Sequence, residues 1–389
     1  MWYNAQMNTD APEARAQPGA EQAPPETRPY RLLDAWRGVA ALWVVLLHSR
    51  GAGLPTALDH FSLLGLLGVP MFFVISGYCI ASAAQRSAGM PRPAAHFLQA
   101  RMRRIYPPYF FASLVTVLLA TLLAFLTPHH VLNFLHRGPR YYVGALTLTQ
   151  PLLHVDFILP IFWSLCYEAA FYLIVAALLV LAVWTRQAPR LLDALALVTL
   201  GTLLWLALAG RACPFPWDRW PQFGLGVLVY QVLSQPKRRE LYAVCLACAA
   251  LLTVWVVRQS HGVYPPLVTN EGQSPFCLPF AALLVLLFRW DDALTRHRVV
   301  KLLSWVGLFS YSLYLSHYIA LRVVDQVAAR VPLANAYPLL LYSVKAAACV
   351  CGGWLFFWLF ERPFLNTRQR QEERGAAGTV SAASLSESA

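Results

Sequence analysis

About ten apolar stretches divide this sequence, and most are close to the length that crosses a bilayer. They run roughly over residues 32–49, 61–84, 104–127, 157–184, 191–209, 217–233, 241–257, 275–288, 302–324 and 336–360. A helix needs about 20 apolar residues to span a hydrocarbon core of about 30 Å. Within lipid, every backbone N–H and C=O must be satisfied internally. The pattern therefore predicts an all-α, polytopic integral membrane protein of about ten transmembrane helices. The sixth and eighth stretches are short and interrupted by Gly or Pro. Composition agrees: 58% of residues are hydrophobic and only 13% charged, about half the charged share of a soluble domain. That balance excludes a disordered chain, a coiled coil and an ordinary soluble enzyme.

The two ends read differently. Residues 1–30 are rich in Pro, Ala, Glu and Gln and carry no apolar period, which predicts a disordered N-terminal tail. They do not resemble a signal peptide, because no short apolar core follows a basic start. Residues 366–389 are polar, small and charged and predict a second disordered tail. The membrane domain is expected over residues 31–365, and any chemistry must lie within it.

The formal net charge of +12 would raise nucleic acid as a partner in a soluble protein. Here the distribution of the charge decides. An even number of spans puts both termini on one side. With that side cytoplasmic, the inside segments hold 22 Lys and Arg and the outside segments hold 8, with Lys345 inside the last span. Cytoplasmic loops collect positive residues, so both termini are expected in the cytoplasm and no nucleic-acid partner is needed.

Some familiar chemistry is missing. Most of the eight cysteines fall within apolar stretches, where a thiol packs as a small hydrophobe. Cys245 and Cys248 have C-x-x-C spacing without a second pair, a weak metal or redox signal. His129 and His130 form a loop pair. No metal site is expected, and no phosphate-loop motif for ATP is present.

Ionisable groups inside a span are costly and usually face a cavity or a partner. Five places stand out. Arg37 and His48 are eleven residues apart, which puts them about 16 Å apart along one stripe of the first helix. Arg37 can also pair with Asp34 at i,i+3. Ser76 and Tyr78 sit in the run Gly68–Tyr78, where small residues among aromatics permit close helix approach. Arg101, Arg103 and Arg104 abut the cytoplasmic end of the third span. They serve topology in the bland reading and phosphate binding in the sharper one, since Arg101 and Arg104 share a helix face. Glu168 lies in the run Phe162–Tyr172, beside Trp163 and Ser164, and needs a partner or a proton. Ser310–Tyr318 carries Tyr314 and His317, with too many hydroxyls for a lipid-facing surface. His48 and His317 fall at similar depths, each about 22–25 Å in from the cytoplasmic side. Glu168 falls nearer mid-depth, so no direct bond to His48 is expected, and the outer-loop residues His154 and Asp156 are candidate neighbours.

Taken together these segments resemble the acyltransferase-3 family of integral membrane acyltransferases. The matching features are Arg37-x10-His48, Phe72-Phe73-x-x-Ser76-Gly77, Arg101-x-x-Arg104-Ile105-Tyr106-Pro107, Trp163-Ser164-Leu165-x-x-Glu168-x-x-Phe171-Tyr172, Ser310-Tyr311-Ser312-Leu313-Tyr314-Leu315-x-His317 and Glu361-Arg362-Pro363-Phe364. They occur in the family's order and cover about residues 30–365. The resemblance implies ten core helices in a multi-pass protein of the bacterial inner membrane. It also implies acyl-CoA, chiefly acetyl-CoA, as cytoplasmic co-substrate, and a hydroxyl acceptor such as a saccharide on the other side.

On that basis Arg37, Arg101 and Arg104 are expected to bind the phosphates of the donor. His48 is expected to act as general base, suited by an unperturbed pKa near neutrality. Ser76, Tyr78, Ser164 and Tyr314 are candidate oxyanion donors. Trp163 and His317 complete the lining. Glu168 is grouped with the catalytic residues, as holder of a tautomer, partner of an arginine or anchor of a helix. Membrane lipid is the other partner, and self-association is left open. The rival readings are a secondary transporter, which commonly shows internal repeats not evident here, and a non-catalytic component of glycan assembly.

Overall fold

A computed structural model of the chain describes residues 29–126, 137–187, 190–209, 213–259, 275–331 and 336–365. Both predicted tails, save residues 29 and 30, and the His129–His130 pair lie outside the described residues. Among the described residues every regular element is helical. In chain order the helices are α1 (Leu32–His48), α2 (Thr56–Leu63), α3 (Gly68–Ala88), α4 (Pro93–Leu126), α5 (Pro139–Thr147), α6 (Gln150–Leu153), α7 (Trp163–Trp184) and α8 (Leu191–Ala209). There follow α9 (Trp220–Ser234), α10 (Arg239–Gln259), α11 (Cys277–Leu287), α12 (Asp291–Leu294), α13 (Arg298–Leu308), α14 (Ser310–Ala328) and α15 (Pro338–Phe356).

Six helical stretches are long and apolar enough to cross a membrane: Thr56–Ala88, Pro93–Leu122, Pro160–Trp184, Leu191–Ala209, Pro236–Arg258 and Pro338–Phe364. The pair α13 and α14 adds a seventh when taken as one bent span. The other three predicted spans are helical too, but α1, α9 and α11 have only 17, 15 and 11 residues. They rise about 26, 23 and 17 Å, short of the hydrocarbon thickness. Large apolar side chains point outward from the long helices, among them Leu118, Leu173, Leu197, Leu208, Leu251 and Leu340. In water such a surface would be a liability; against lipid it is solvated.

Three local expectations are corrected. The predicted ninth span is a broken helix: α13 and α14 meet at 71°, with Phe309 leaving helical geometry between them. No proline marks the break, and Ser310 Oγ caps it by donating to the Gly307 carbonyl at 2.8 Å. The third helix begins at Pro93 rather than near Arg104 and passes through Pro107 and Pro108, so the basic cluster lies within α4, not at its end. Tyr30, read as tail, is buried and donates to the Leu284 carbonyl at 2.8 Å.

Two helix crossings set the frame, and glycine makes both. α3 runs against α9, where a methyl at Gly77 would strike the Phe223 carbonyl and one at Gly226 the Val74 carbonyl. α1 runs against α13, where Gly38 meets the Leu303 carbonyl and Gly307 the Asp34 carbonyl. Small residues at such crossings let backbones touch, which is how helices associate without a hydrophobic drive between them. α9 is buried on all sides from Trp220 to Val232, so it is a central strut. The entry to α1 is pinned by Asp291, whose carboxylate accepts from the amides of Leu32 at 2.8 Å and Arg31 at 3.2 Å.

Candidate active site

A cleft opens among α1, α3, α4, α7 and α14, and it gathers the polar groups that a bilayer interior excludes. It takes in about 750 Å³ with its mouth. Arg37, Arg101 and Arg104 line it together with one carboxylate, Glu168, and with an apolar wall that includes Phe72, Phe73, Ile80 and Leu165. Arginine stays protonated in proteins, so the lining carries more positive than negative charge and suits an anion with several oxygens.

Each guanidinium is held differently. Arg37 donates to Asp34 Oδ1 at 2.9 Å and to Cys79 Sγ at 3.1 Å; the i,i+3 pair forms, and the group still reaches the cleft. Arg101 donates to the Cys79 carbonyl at 3.4 Å and sits 5.9 Å from the ring centroids of Phe97 and Tyr172, within cation–π range. Arg104 stands one turn further along α4 on the same wall.

Glu168 belongs to this cleft and not to His48. One of its oxygens accepts from Ser76 Oγ at 2.9 Å and from the Tyr172 hydroxyl at 2.8 Å. Ser76 lies on α3 and Tyr172 one turn beyond Glu168 on α7, so the carboxylate ties two walls together. Further along, the Tyr314 hydroxyl donates to the Ile161 carbonyl at 2.9 Å and meets Ser164 Oγ at 2.8 Å. The rings of Phe72 and Tyr314 pack edge-on at this end, with centroids 6.0 Å apart.

Behind Tyr314 stands a pair of histidines that do not line the cleft. His317, on the next turn of α14, is fully buried. Its Nε2 lies 3.2 Å from Nδ1 of His48 at the end of α1. His48 Nδ1 is also 3.0 Å from the Val44 carbonyl, and its ring is flanked by Tyr318 with centroids 4.9 Å apart. The neighbour of His48 is thus His317; Asp156, in the connection between α6 and α7, instead takes a hydrogen bond from Arg137 at 2.7 Å.

Two more predicted residues lie off the cleft. Tyr78 turns to the opposite face of α3 and packs edge-on with Tyr30 and Tyr230, at 5.9 and 5.2 Å. Trp163 begins α7 beside the site, against Phe73 at 6.1 Å and under the Arg219 guanidinium at 5.4 Å. Conversely, Cys79, Tyr172 and Tyr311 line the cleft although none was assigned a role from sequence. Tyr172, four residues after Glu168, was the most detectable, since that spacing shares a helix face. Glu361, quoted in the closing motif without a role, is buried in a π-helical turn and accepts from Ser312 Oγ at 2.6 Å and the Ser312 amide at 3.2 Å. Among the described residues no three His, Cys, Asp or Glu side chains converge as metal ligands do.

A family model described as an acyltransferase domain matches residues 30–358. The chain belongs to the acyltransferase-3 family. Its relatives agree with that placement. BcsY of Komagataeibacter xylinus, named as a membrane-bound transacylase, is 26% identical over 323 residues, 76% of this chain and 74% of the relative. The exopolysaccharide production protein ExoZ of Rhizobium meliloti is 28% identical over 340 residues, covering 82% and 95%. The acyltransferase MdmB of Streptomyces mycarofaciens is 27% identical over 355 residues, covering 81% and 85%. No solved structure matches the chain. This acyltransferase-3 protein is therefore a multi-pass membrane acyltransferase, and the cleft with its adjoining histidine pair is the polar centre of its membrane domain.

Proposed function

We propose that this enzyme moves an acyl group, in the first instance acetyl, from cytoplasmic acyl-CoA to a hydroxyl of an extracytoplasmic saccharide, with His48 as general base. The observation that carries the reading is the layout of α1. Arg37 faces a cleft with a surplus of positive charge at one end, and His48 meets a second imidazole about 16 Å away at the other. The relatives' names, transacylase and exopolysaccharide production protein, support the acyl chemistry and the saccharide class.

The donor's phosphates would contact Arg37, Arg101 and Arg104 through charge-assisted hydrogen bonds. The thioester would then extend past Phe72 and Tyr314 towards the histidines. His48 Nε2 takes the proton of the acceptor hydroxyl while its oxygen bonds to the thioester carbon. The resulting oxyanion needs hydrogen-bond donors; the hydroxyls of Tyr314 and Ser164 stand closest to this end, whereas Tyr78 does not. Collapse breaks the C–S bond, and the proton on His48 passes to the departing thiolate. Glu168, bonded to Ser76 and Tyr172, acts as an organiser of the cleft in this scheme.

The proposed topology has ten spans, with α1, α9 and α11 embedded and both termini in the cytoplasm of a bacterium, the protein lying in the inner membrane. The 22-to-8 partition of basic residues supports it, as does the central burial of α9. The deciding experiment incubates purified protein with acetyl-CoA and a candidate exopolysaccharide and follows free thiol. Acceptor-dependent release of CoA with a matching mass increase of the glycan is expected; donor consumption without glycan acylation would overturn the saccharide assignment.

A further inference from the structure

The neighbours of the two histidines fix where their protons sit. His317 Nδ1 lies 2.6 Å from the Tyr314 carbonyl. A carbonyl only accepts, so this nitrogen carries the hydrogen and, in the neutral ring, Nε2 holds a lone pair. That lone pair points at His48 Nδ1, 3.2 Å away. The other neighbour of His48 Nδ1 is the Val44 carbonyl at 3.0 Å, again an acceptor. Both contacts require a hydrogen on His48 Nδ1, which leaves its Nε2 unprotonated. The proton positions are assigned from the acceptors around them, and every contact agrees on one tautomer.

We infer that His317 is a positioning residue that holds His48 in the Nδ1–H tautomer with Nε2 presented as the base. The inference rests on the reading of His48 as general base and adds the group that orients it. It is the office a carboxylate fills in the hydrolase triads, where the wrong tautomer abolishes most of the activity. A neutral imidazole does this without placing a bare negative charge inside a membrane domain. When His48 takes the acceptor's proton, its Nδ1–H keeps donating to His317 Nε2, so the transient cation retains its partner. The arrangement is rigid: His317 is fully buried, and its own carbonyl accepts from Cys349 Sγ at 3.5 Å, tying α14 to α15.

Two amide substitutions separate orientation from mere packing. In His317→Gln the amide reaches the Nε2 position and can still accept from His48. In His317→Asn the amide reaches only as far as Nδ1, keeping the bond to Tyr314 and losing His48. With His48→Ala as a third variant, the readouts are kcat, the KM for acetyl-CoA and the thermal unfolding midpoint in detergent. Asn is expected to lower kcat by about 100-fold, at the lower end of general-base effects, with donor KM within twofold; Gln should recover at least tenfold of that loss at equal Tm. Equal rates for Gln and Asn would overturn the orienting role while leaving His48 as base. Turnover retained in His48→Ala would overturn both. A His317→Leu variant that folds is expected to match Asn; activity near wild type would likewise overturn the inference.

Discussion

The hydroxyls of Ser164 and Tyr314 meet at 2.8 Å and join α7 to α14 at the end of the cleft nearer the histidines. Both also address the Ile161 carbonyl, Tyr314 at 2.9 Å and Ser164 at 3.2 Å. Tyr314→Phe keeps the ring against Phe72 but removes the shared partner. It should cost about 1 kcal/mol, the net worth of an ordinary hydrogen bond, and lower turnover more than Ser164→Ala, because only Tyr314 also abuts His317. Thermal unfolding beside CoA release checks the pair; a larger loss in Ser164→Ala would reverse the ranking.

His48→Ala should leave insertion, folding and donor KM unchanged and reduce turnover by about 10²- to 10⁴-fold, the range for a lost general base. CoA release by protein matched for amount and size-exclusion profile is the measurement. Turnover within threefold of wild type would remove His48 from the chemistry.

Arg104→Ala should raise the KM for acyl-CoA about tenfold or more, as expected when a charge-assisted hydrogen bond is lost, with little change in Tm. Arg101→Ala should do the same and also lower Tm, because Arg101 packs on Phe97 and Tyr172. Donor KM and unfolding midpoint, measured together, give the answer. An unchanged KM in both would return the cluster to a purely topological role.

Gly226→Ala should destabilise the domain without touching the cleft. The added methyl would collide with the backbone carbonyl of Val74, which no rotamer change can relieve. Overpacking of this kind costs about 1–3 kcal/mol. A lower Tm and a reduced folded yield are expected, with kcat of the surviving fraction near wild type; an unaltered Tm would mean that the crossing can open.

Much of the architecture was legible in the sequence because apolar runs must be helices in lipid. The run 191–209 coincides with α8 to the residue. The arginines and Glu168 were legible for the same reason inverted: a charge in such a run is costly unless something receives it. What was hidden depends on rotation and on tertiary contact. Tyr78 and Ser76 are two residues apart on one helix, and only the crossing with α9 decides which of them faces the cleft. The break at Phe309 follows the apolar run 302–308 with no proline or charge to mark it, so hydropathy reads straight through it. The start of α4 was hidden because residues 93–103 are too polar to read as a span. Equal depth made a meeting of His48 and His317 geometrically open, but it took the packing of α1 on α14 to turn the rings together.

The glycine crossings have a bearing on motion. Helices whose backbones touch, with no side chains between them, have nothing to slide on, so α3 with α9 and α1 with α13 behave as fixed walls. The remaining walls of the cleft are α4, α7 and α14, and α14 is clasped to α15 where Gly353 meets Leu313. Of these, α4 and α7 bear Arg101, Arg104 and Glu168, and the Glu168–Ser76 hydrogen bond ties α7 back to α3. Arg37 and His48 share α1 itself, so the span between the proposed donor-binding end and the proposed base is set by one helix that cannot slide.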